Sequence, residues 1–299
     1  MKRSRGMGLL ALGAAVAFSL VACVSGPSDA DRSTLQQRAQ DVLTRWDAAA
    51  ASTGPTSGLV IVGGSTLMAG DDWGPNIDGG NSKMAMMAGL YEASIELPAE
   101  TPPAGQVRWP DGSTLAVEVV SAQQAFDDMK AEGAKQSSCQ ECRPLVVTGA
   151  TLVTATFDTS RGKAQVPTWE FSLKDTPVKM DQVAVAAQMQ APAPLPDGNL
   201  PFVPRIMSAT IDSGGLQLTV TVVGAPNPAS QGCGADYTAQ AVESDRAVVV
   251  IVYEKRNTLP VACTAVGAFR TAAATLEKPL GDRTVLDVGG LPVSVAPAP

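Results

Sequence analysis

The sequence predicts an α+β fold that is mostly β: an amino-terminal α+β domain with a β-meander, followed by an all-β, sandwich-like carboxy-terminal domain. Three observations predict it. Aromatic residues make up only 4% of a chain that is 45% hydrophobic, so Val, Ile, Leu and Ala must fill the interior, and β-branched residues favour strands. Helical patterns with capping signals occur only in the first half. Beyond a proline-dense stretch, short apolar runs alternate with turn residues to the end of the chain. At 299 residues the chain exceeds one average domain, and 17% charged residues keep it away from the composition of disordered chains.

Ser33 to Ala51 reads as a helix. Ser33 can cap it, Gln36 completes a capping box, and Leu35, Val42, Leu43 and Trp46 recur on one stripe that should pack on the first domain. Leu59 to Val62 reads as a short buried strand closed by Gly63-Gly64, and Met84 to Leu97 as a further strand in which Met84, Met86 and Met87 fill core space. Gln106 to Trp109 should pair with Thr114 to Val120 across a Pro-Asp-Gly turn. Ser121 to Gln124 is a second capping box, opening a helix to about Ala131 that Gly133 can terminate. Leu145 to Phe157, Lys163 to Leu173 and Val178 to Val185 form the meander, with Trp169 and Phe171 on one face because strand side chains alternate.

Pro192, Pro194, Pro196, Pro201 and Pro204 make residues 187–204 a stiff connector. Three hairpins then suggest a sandwich: Ile206 to Asp212 with Leu216 to Val223, Tyr237 to Glu243 with Val248 to Glu254, and Ala268 to Leu276 with Thr284 to Val288. The aliphatic run Val248 to Val252 is the natural central strand. The expected organisation is a leader over 1–22, a short tether over 23–32, the α+β domain over 33–186, the connector over 187–204 and the β-sandwich-like domain over 205–299.

The leader has a basic start in Lys2, Arg3 and Arg5 and an apolar stretch from Leu9 to Ala22, too short to span a bilayer comfortably. It ends in Leu20-Val21-Ala22-Cys23, which resembles the lipobox of bacterial lipoproteins. That resemblance implies diacylglycerol on the Cys23 sulfur, cleavage before Cys23, and residence on the outer face of a membrane. Two acyl chains anchor durably, where one, at ~0.8 kcal/mol per buried methylene, holds only marginally. No other cofactor is expected. Removing the leader takes the net charge from −7 to −10. With no Lys/Arg cluster beyond it, nucleic acid is not an expected partner. Expected partners are the membrane through the lipid, and another envelope protein or a glycan.

Four cysteines remain, Cys139, Cys142, Cys233 and Cys263, and an even number in an exported chain suggests disulfides. Of three connectivities, Cys139 with Cys142 and Cys233 with Cys263 keeps each bridge within one domain. The C-x-x-C at Cys139 and Cys142 also allows a thiol redox reading. Its context argues for a structural bridge, because the motif follows a helix and so lacks the helix N-terminus that lowers a redox thiol's pKa.

The sequence contains no histidine, which removes Ser-His-Asp and Cys-His catalysis, H-E-x-x-H zinc chemistry and imidazole acid/base work. A carboxylate-based envelope hydrolase is the remaining enzymatic reading, with Asp71 and Asp72, Asp127 and Asp128, or Asp158 and Glu170 as its pairs. No catalytic residue is assigned. The loop containing Asp71, Asp72, Trp73, Asn76 and Asp78 is the best local candidate for a ligand site. Its spacing misses the EF-hand pattern, so an Asx-rich turn is preferred there and no metal site is assigned.

The run Cys139-x-x-Cys142-x-Pro144-Leu145-x-Val147-Thr148-x-Ala150, then Thr159-Ser160-Arg161-Gly162 and Val166-Pro167-x-Trp169-Glu170-Phe171, resembles secreted lipoproteins of high-GC Gram-positive, actinobacterial bacteria. Pro279-Leu280-Gly281-Asp282-Arg283 and Val285-Leu286-Asp287-Val288 are similar to their carboxy-terminal ending. The resemblance covers about half the mature chain. It implies an envelope location and no activity.

Overall fold

A computed structural model of the chain describes residues 24–52, 59–69, 80–136, 139–186, 202–259 and 261–298, and the fold is mostly β. The leader, Cys23, the loop residues Asp71, Asp72, Trp73, Asn76 and Asp78, and connector positions 187–201 lie outside the described residues.

The chain enters through β1 (Val24–Ser25) and α1 (Asp29–Ser52). The helix begins a turn before Ser33, because Ser28 and Asp31 cap it reciprocally. Ser28 N and Oγ donate to Asp31 Oδ2 at 3.0 and 2.8 Å, and Asp31 N donates to Ser28 Oγ at 3.1 Å. Much of the segment expected to be a tether is therefore regular structure.

The first unit comprises β2 (Thr66–Ala69), α2 (Asn81–Met87), β3 (Tyr91–Ala93), β4 (Gly105–Arg108), β5 (Thr114–Val117), α3 (Ala122–Gln136), β6 (Leu145–Thr159), β7 (Gly162–Leu173) and β8 (Lys179–Val183). Its seven-stranded sheet runs β2-β8-β7-β4-β5, with β6 paired to β7 and β3. The meander β6-β7-β8 lies at its centre. Trp169 and Phe171 share one buried face with Val147 and Met180, under Phe126 and Met129 of α3. Phe126 meets Tyr91 and Phe171 edge-on, at 6.5 and 6.0 Å between ring centres. The other face buries Val107, Trp109, Phe157, Val166 and Val183.

Three local expectations fail in this unit. Leu59 to Val62 makes only the isolated bridge Ile61 to Thr159, since Gly63 and Gly64, at φ of 85° and 112°, turn the chain before a ladder can extend. Met84 to Leu97 is not a strand throughout. It begins inside α2, whose spacing buries Ser82 and Ala85 and leaves Met84 and Met87 exposed, while Met86 packs against the core. Helix α3 passes through Gly133 instead of stopping there. A Cβ on Gly133 would lie 2.4 Å from the Gly89 nitrogen, so glycine is needed for close approach of the backbones.

The second unit comprises β9 (Ile206–Ile211), β10 (Gln217–Gly224), β11 (Ala235–Glu243), β12 (Ala247–Asn257), β13 (Ala268–Thr275), β14 (Thr284–Leu286) and β15 (Val295–Pro297). One sheet runs β13-β10-β9-β15; in the other, β11, β14 and β1 all pair with β12. The first two expected hairpins form. The third does not, because β13 lies antiparallel on β10 while β14 lies parallel on β12 in the opposite sheet. Arg283 fixes this crossover. Its guanidinium donates to the carbonyls of Lys278 and Pro279 at 2.6 and 3.0 Å and pairs with Glu243 at 2.6 Å, the two side chains being only 9% and 11% exposed.

Val248, Val250 and Val252 of β12 face the sandwich interior. Ala247, Val249, Ile251 and Tyr253 face the other way and are covered by Leu35, Ala39, Val42, Leu43 and Trp46 of α1. The helical stripe therefore packs on the carboxy-terminal sheet and not on the first domain. Five consecutive aliphatics need cover on both faces. Arg32 lies 4.5 Å from the Tyr253 ring centre at one end, and Ser244 Oγ donates to Asp47 at 3.0 Å at the other. Helix and strand thus run antiparallel, in contact over about 20 Å.

Residues 202–299 produced without 24–52 leave the Val249/Ile251/Tyr253 face bare and are expected to aggregate, whereas fusion to 24–52 restores a monomer by sedimentation. In the full chain, Leu43→Ala should cost about 2–5 kcal/mol in urea unfolding. A soluble, folded 202–299 fragment would refute this account of the core.

Candidate functional site

The two units meet at the far end of the carboxy-terminal sandwich from β1. Val295 N donates to Ser160 O at 3.3 Å, and a Cβ on Gly162 would lie 3.4 Å from Val295 O. Between them is a cleft of about 300 Å³. The β4–β5 and β6–β7 turns of the first unit form one wall. Ile211, Leu280 and residues 295–297 form the other.

The first wall is built around Trp109. The Pro-Asp-Gly turn that follows it is closed by Ser113, whose N and Oγ donate to Asp111 Oδ1 at 2.8 and 2.6 Å. Trp109 Nε1 donates to Thr159 Oγ1 at 3.1 Å, and that fully buried hydroxyl donates to Gly162 O at 2.6 Å. The β6–β7 turn is thereby held against the indole. Arg161, projecting from the same turn, lies 4.3 Å from the Trp109 ring centre and donates to Ser113 Oγ at 3.0 Å. Its other neighbour is Asp111, at 3.9 Å. The bonds from the Ser113 side chain and backbone, with Arg161 adding a little, hold the Asp111 carboxyl below the usual carboxylate range. It is an ionised acceptor and has no proton to give at neutral pH. The walls carry Arg161, Lys163 and Arg283, which pair with Asp111 at 3.9 Å, Asp158 at 3.3 Å and Glu243 at 2.6 Å in turn.

The cysteines pair as Cys139–Cys142 and Cys233–Cys263, with Cα separations of 5.5 and 5.6 Å. The first bridge lies between the end of α3 and the start of β6. Asn81 clamps its far side, donating to Arg143 O at 3.0 Å and accepting from Arg143 N at 2.7 Å. Cys142 packs on the core cluster. The amino terminus of α2, at Gly80 and Asn81, adjoins the Cys139–Cys142 bridge in space, although the motif follows α3 in sequence.

Of the expected carboxylate pairs, Asp71 with Asp72 lies outside the described residues, and the other two do not form a shared acid site. Asp127 and Asp128 accept bonds from Gln123 and Gln124, one turn earlier on α3. Asp158 pairs with Lys163 at 3.3 Å. The register places Asp158 opposite Lys163 and Glu170 opposite Thr151, seven positions away along β6 or about 23 Å. The partner of Glu170 is instead Asp181, directly across on β8, with Lys179 Nζ 2.5 Å from Glu170. Asp181 is 8% exposed and its Oδ1 has no hydrogen-bond partner. Burial first, and then Glu170, push its carboxyl upward against the pull of Lys179. Neither Glu170 nor Asp181 lines the cleft between the units.

Sequence reasoning missed Trp109 and Arg161 as a pair and Asp181 altogether. The first could have been found from a tryptophan ending a strand at a tight turn. The second depends on cross-strand register. Among the described residues, no group of three or more Cys, Asp or Glu is placed to hold a metal ion, and no helix is long and apolar enough to cross a membrane. No family model, curated protein or solved structure matched the chain when it was compared with each.

Two outcomes follow from this geometry. Folded Asp181 holds its proton more tightly than the unfolded chain does, so its own contribution to stability should fall as pH rises from the ordinary value of 3.8 toward the raised folded value. Asp181→Asn should be more stable than the parent at pH 7 by about 1–3 kcal/mol, the scale of an unsatisfied buried acceptor, with the gain shrinking below about pH 4; equal urea midpoints at both pH values would contradict this. Replacing both Cys233 and Cys263 with Ser should cost about 3–4 kcal/mol on the chain-entropy account of a thirty-residue loop, read from the same titrations.

Proposed function

We propose that the chain is an extracytoplasmic lipoprotein, held on the outer face of a membrane by diacylglycerol on Cys23, and that it binds an envelope partner without transforming it. The observation that carries the anchor is Leu20-Val21-Ala22-Cys23, placed after a basic start and an apolar run of export length. Two disulfides suit an oxidising compartment. The cleft between the units supports the binding reading. Its volume of about 300 Å³ is at the lower end of ligand sites, its lining is largely apolar, and the one carboxylate that lines it, Asp111, is held ionised with no proton to give. Arg161, 38% exposed and only loosely paired with Asp111 at 3.9 Å, favours a ligand bearing a carboxylate, from an acidic glycan or a peptide of another envelope protein.

The anchor is tested by the intact mass of protein from its own membrane. A diacylglyceryl group on an amino-terminal Cys23 is expected, and an unmodified amino terminus would overturn the anchor. The cleft is tested with a photo-crosslinking residue at Ala296 in living cells. One discrete adduct, lost in the Arg161→Glu variant, is expected. Diffuse labelling indifferent to Arg161 would refute the binding site.

A further inference from the structure

The segment after Cys23 is fixed to the body of the protein. Val24 and Ser25 pair with Asn257 and Arg256 at the end of β12, and covalent geometry keeps Cys23 within about 3.8 Å of Val24. The lipid proposed for Cys23 therefore has no slack beneath it, and whatever surrounds the end of β12 is brought to the membrane surface.

That pole of the sandwich is apolar. The end of β10, the start of β11, the end of β12 and the start of β13 all lie there, joined by loops 225–234 and 258–267. Neither loop contains an Asp, Glu, Lys or Arg. Phe269 and Val266 are 76% and 64% exposed, Phe202 is 72% exposed, and Val223, Leu259 and Val261 are each about half exposed. They adjoin one another. Phe269 is opposite Val223 across the strands, a Cβ on Gly267 would lie 2.8 Å from Val223 Cγ1, and one on Gly232 would lie 3.3 Å from Val261 Cγ2. Phe202 lies 5.3 Å from the guanidinium of Arg256, the residue opposite Ser25. The Cys233–Cys263 bridge ties the two loops together. Exposed apolar patches of this kind mark interaction surfaces, and the one partner that a lipid on Cys23 brings to this pole is the bilayer.

We infer that this pole inserts into the lipid interface, with Leu259, Val261, Val266 and Phe269 as the inserting side chains, so that the cleft is presented at the far end of the sandwich. The inference rests on the proposed lipid at Cys23. Lys255, Arg256 and Arg270 at the rim are matched by Asp236, Glu254 and the acids at the start of α1, so insertion is driven by apolar contact and is independent of anionic lipid. Strand geometry puts the cleft about 30 Å from this surface.

The test uses the full lipidated chain in phosphatidylcholine vesicles. With Cys23 acylated and the other four cysteines bridged, an introduced Val266→Cys supplies the free thiol for an environment-sensitive fluorophore, and Leu216→Cys, in the β9–β10 turn at the opposite pole, supplies the control. The label at 266 is expected to shift to the blue and to be quenched by brominated lipid, unchanged by phosphatidylglycerol or high salt, while the label at 216 remains aqueous. In the unlipidated chain, Leu259→Ser, Val266→Ser and Phe269→Ser together should lower vesicle partition at least tenfold. An aqueous label at 266 on protein whose mass carries the lipid overturns this inference and leaves the anchor standing. A mass without lipid overturns the anchor and, with it, this orientation. A blue shift that brominated lipid does not quench means that a second copy covers the patch, and also overturns it.

Discussion

The fold turns on one strand that must be covered on both faces. Along β12 every residue from Ala247 to Tyr253 is buried, and a two-layer sandwich can cover only alternate positions. The second cover is α1, which lies far away in sequence and is matched to the strand in length. Burying four large apolar side chains of the helix, Leu35, Val42, Leu43 and Trp46, at ~1.5–3 kcal/mol each makes this contact a large share of the stability of the carboxy-terminal unit. It also fixes the topology. Since α1 belongs to the sheet that follows the connector, the whole first unit is an insertion between α1 and β9, attached where the helix ends.

The joint between the units is set by two arginines in contrasting environments. Arg283 is buried, and its ion pair with Glu243 is supplemented by backbone carbonyls that satisfy the rest of the guanidinium. A buried pair completed in this way defines geometry more than it adds stability, and what it defines is the crossover from β13 to β14 that forms one wall of the cleft. Arg161 is 38% exposed, held by an indole face, a hydroxyl and a distant carboxylate. It keeps hydrogen-bonding capacity toward solvent. The first arginine builds the wall and the second faces the space.

What was legible in the sequence was what short segments decide for themselves. The Pro-Asp-Gly turn, the meander, the shared face of Trp169 and Phe171, and the centrality of Val248 to Val252 all follow from turn chemistry and side-chain alternation. Ser33 competed with Ser28 for the same role, and both have a suitable residue three positions on. Only the pairing of Val24 and Ser25 with β12, distant in sequence, favours the earlier start. Gly133 carries a helix-stop signal, and its real constraint is the passing backbone at Gly89. The third hairpin had suitable strands and a suitable turn, and was overruled by Arg283 and by the vacant edges on β10 and β12. The cleft was illegible for the same reason, since its two walls come from turns that only the insertion topology brings together.

The insertion topology has a mechanical consequence for any anchor at Cys23. Had residues 23–32 been a free tether, the body could tumble above a membrane and no face of it would be favoured. Pairing of Val24 and Ser25 with β12 replaces that freedom with a fixed exit, and α1 then runs along β12 away from it and delivers the chain to the first unit at the opposite pole. Past the connector, Phe202 lies beside Arg256, at the pole where β1 pairs. The sandwich is thus a spacer, of a length set by β12, between that pole and the first unit. The lipid proposed for Cys23 would therefore lie at the pole opposite the cleft, which the bond from Val295 to Ser160 holds at the far end of the spacer.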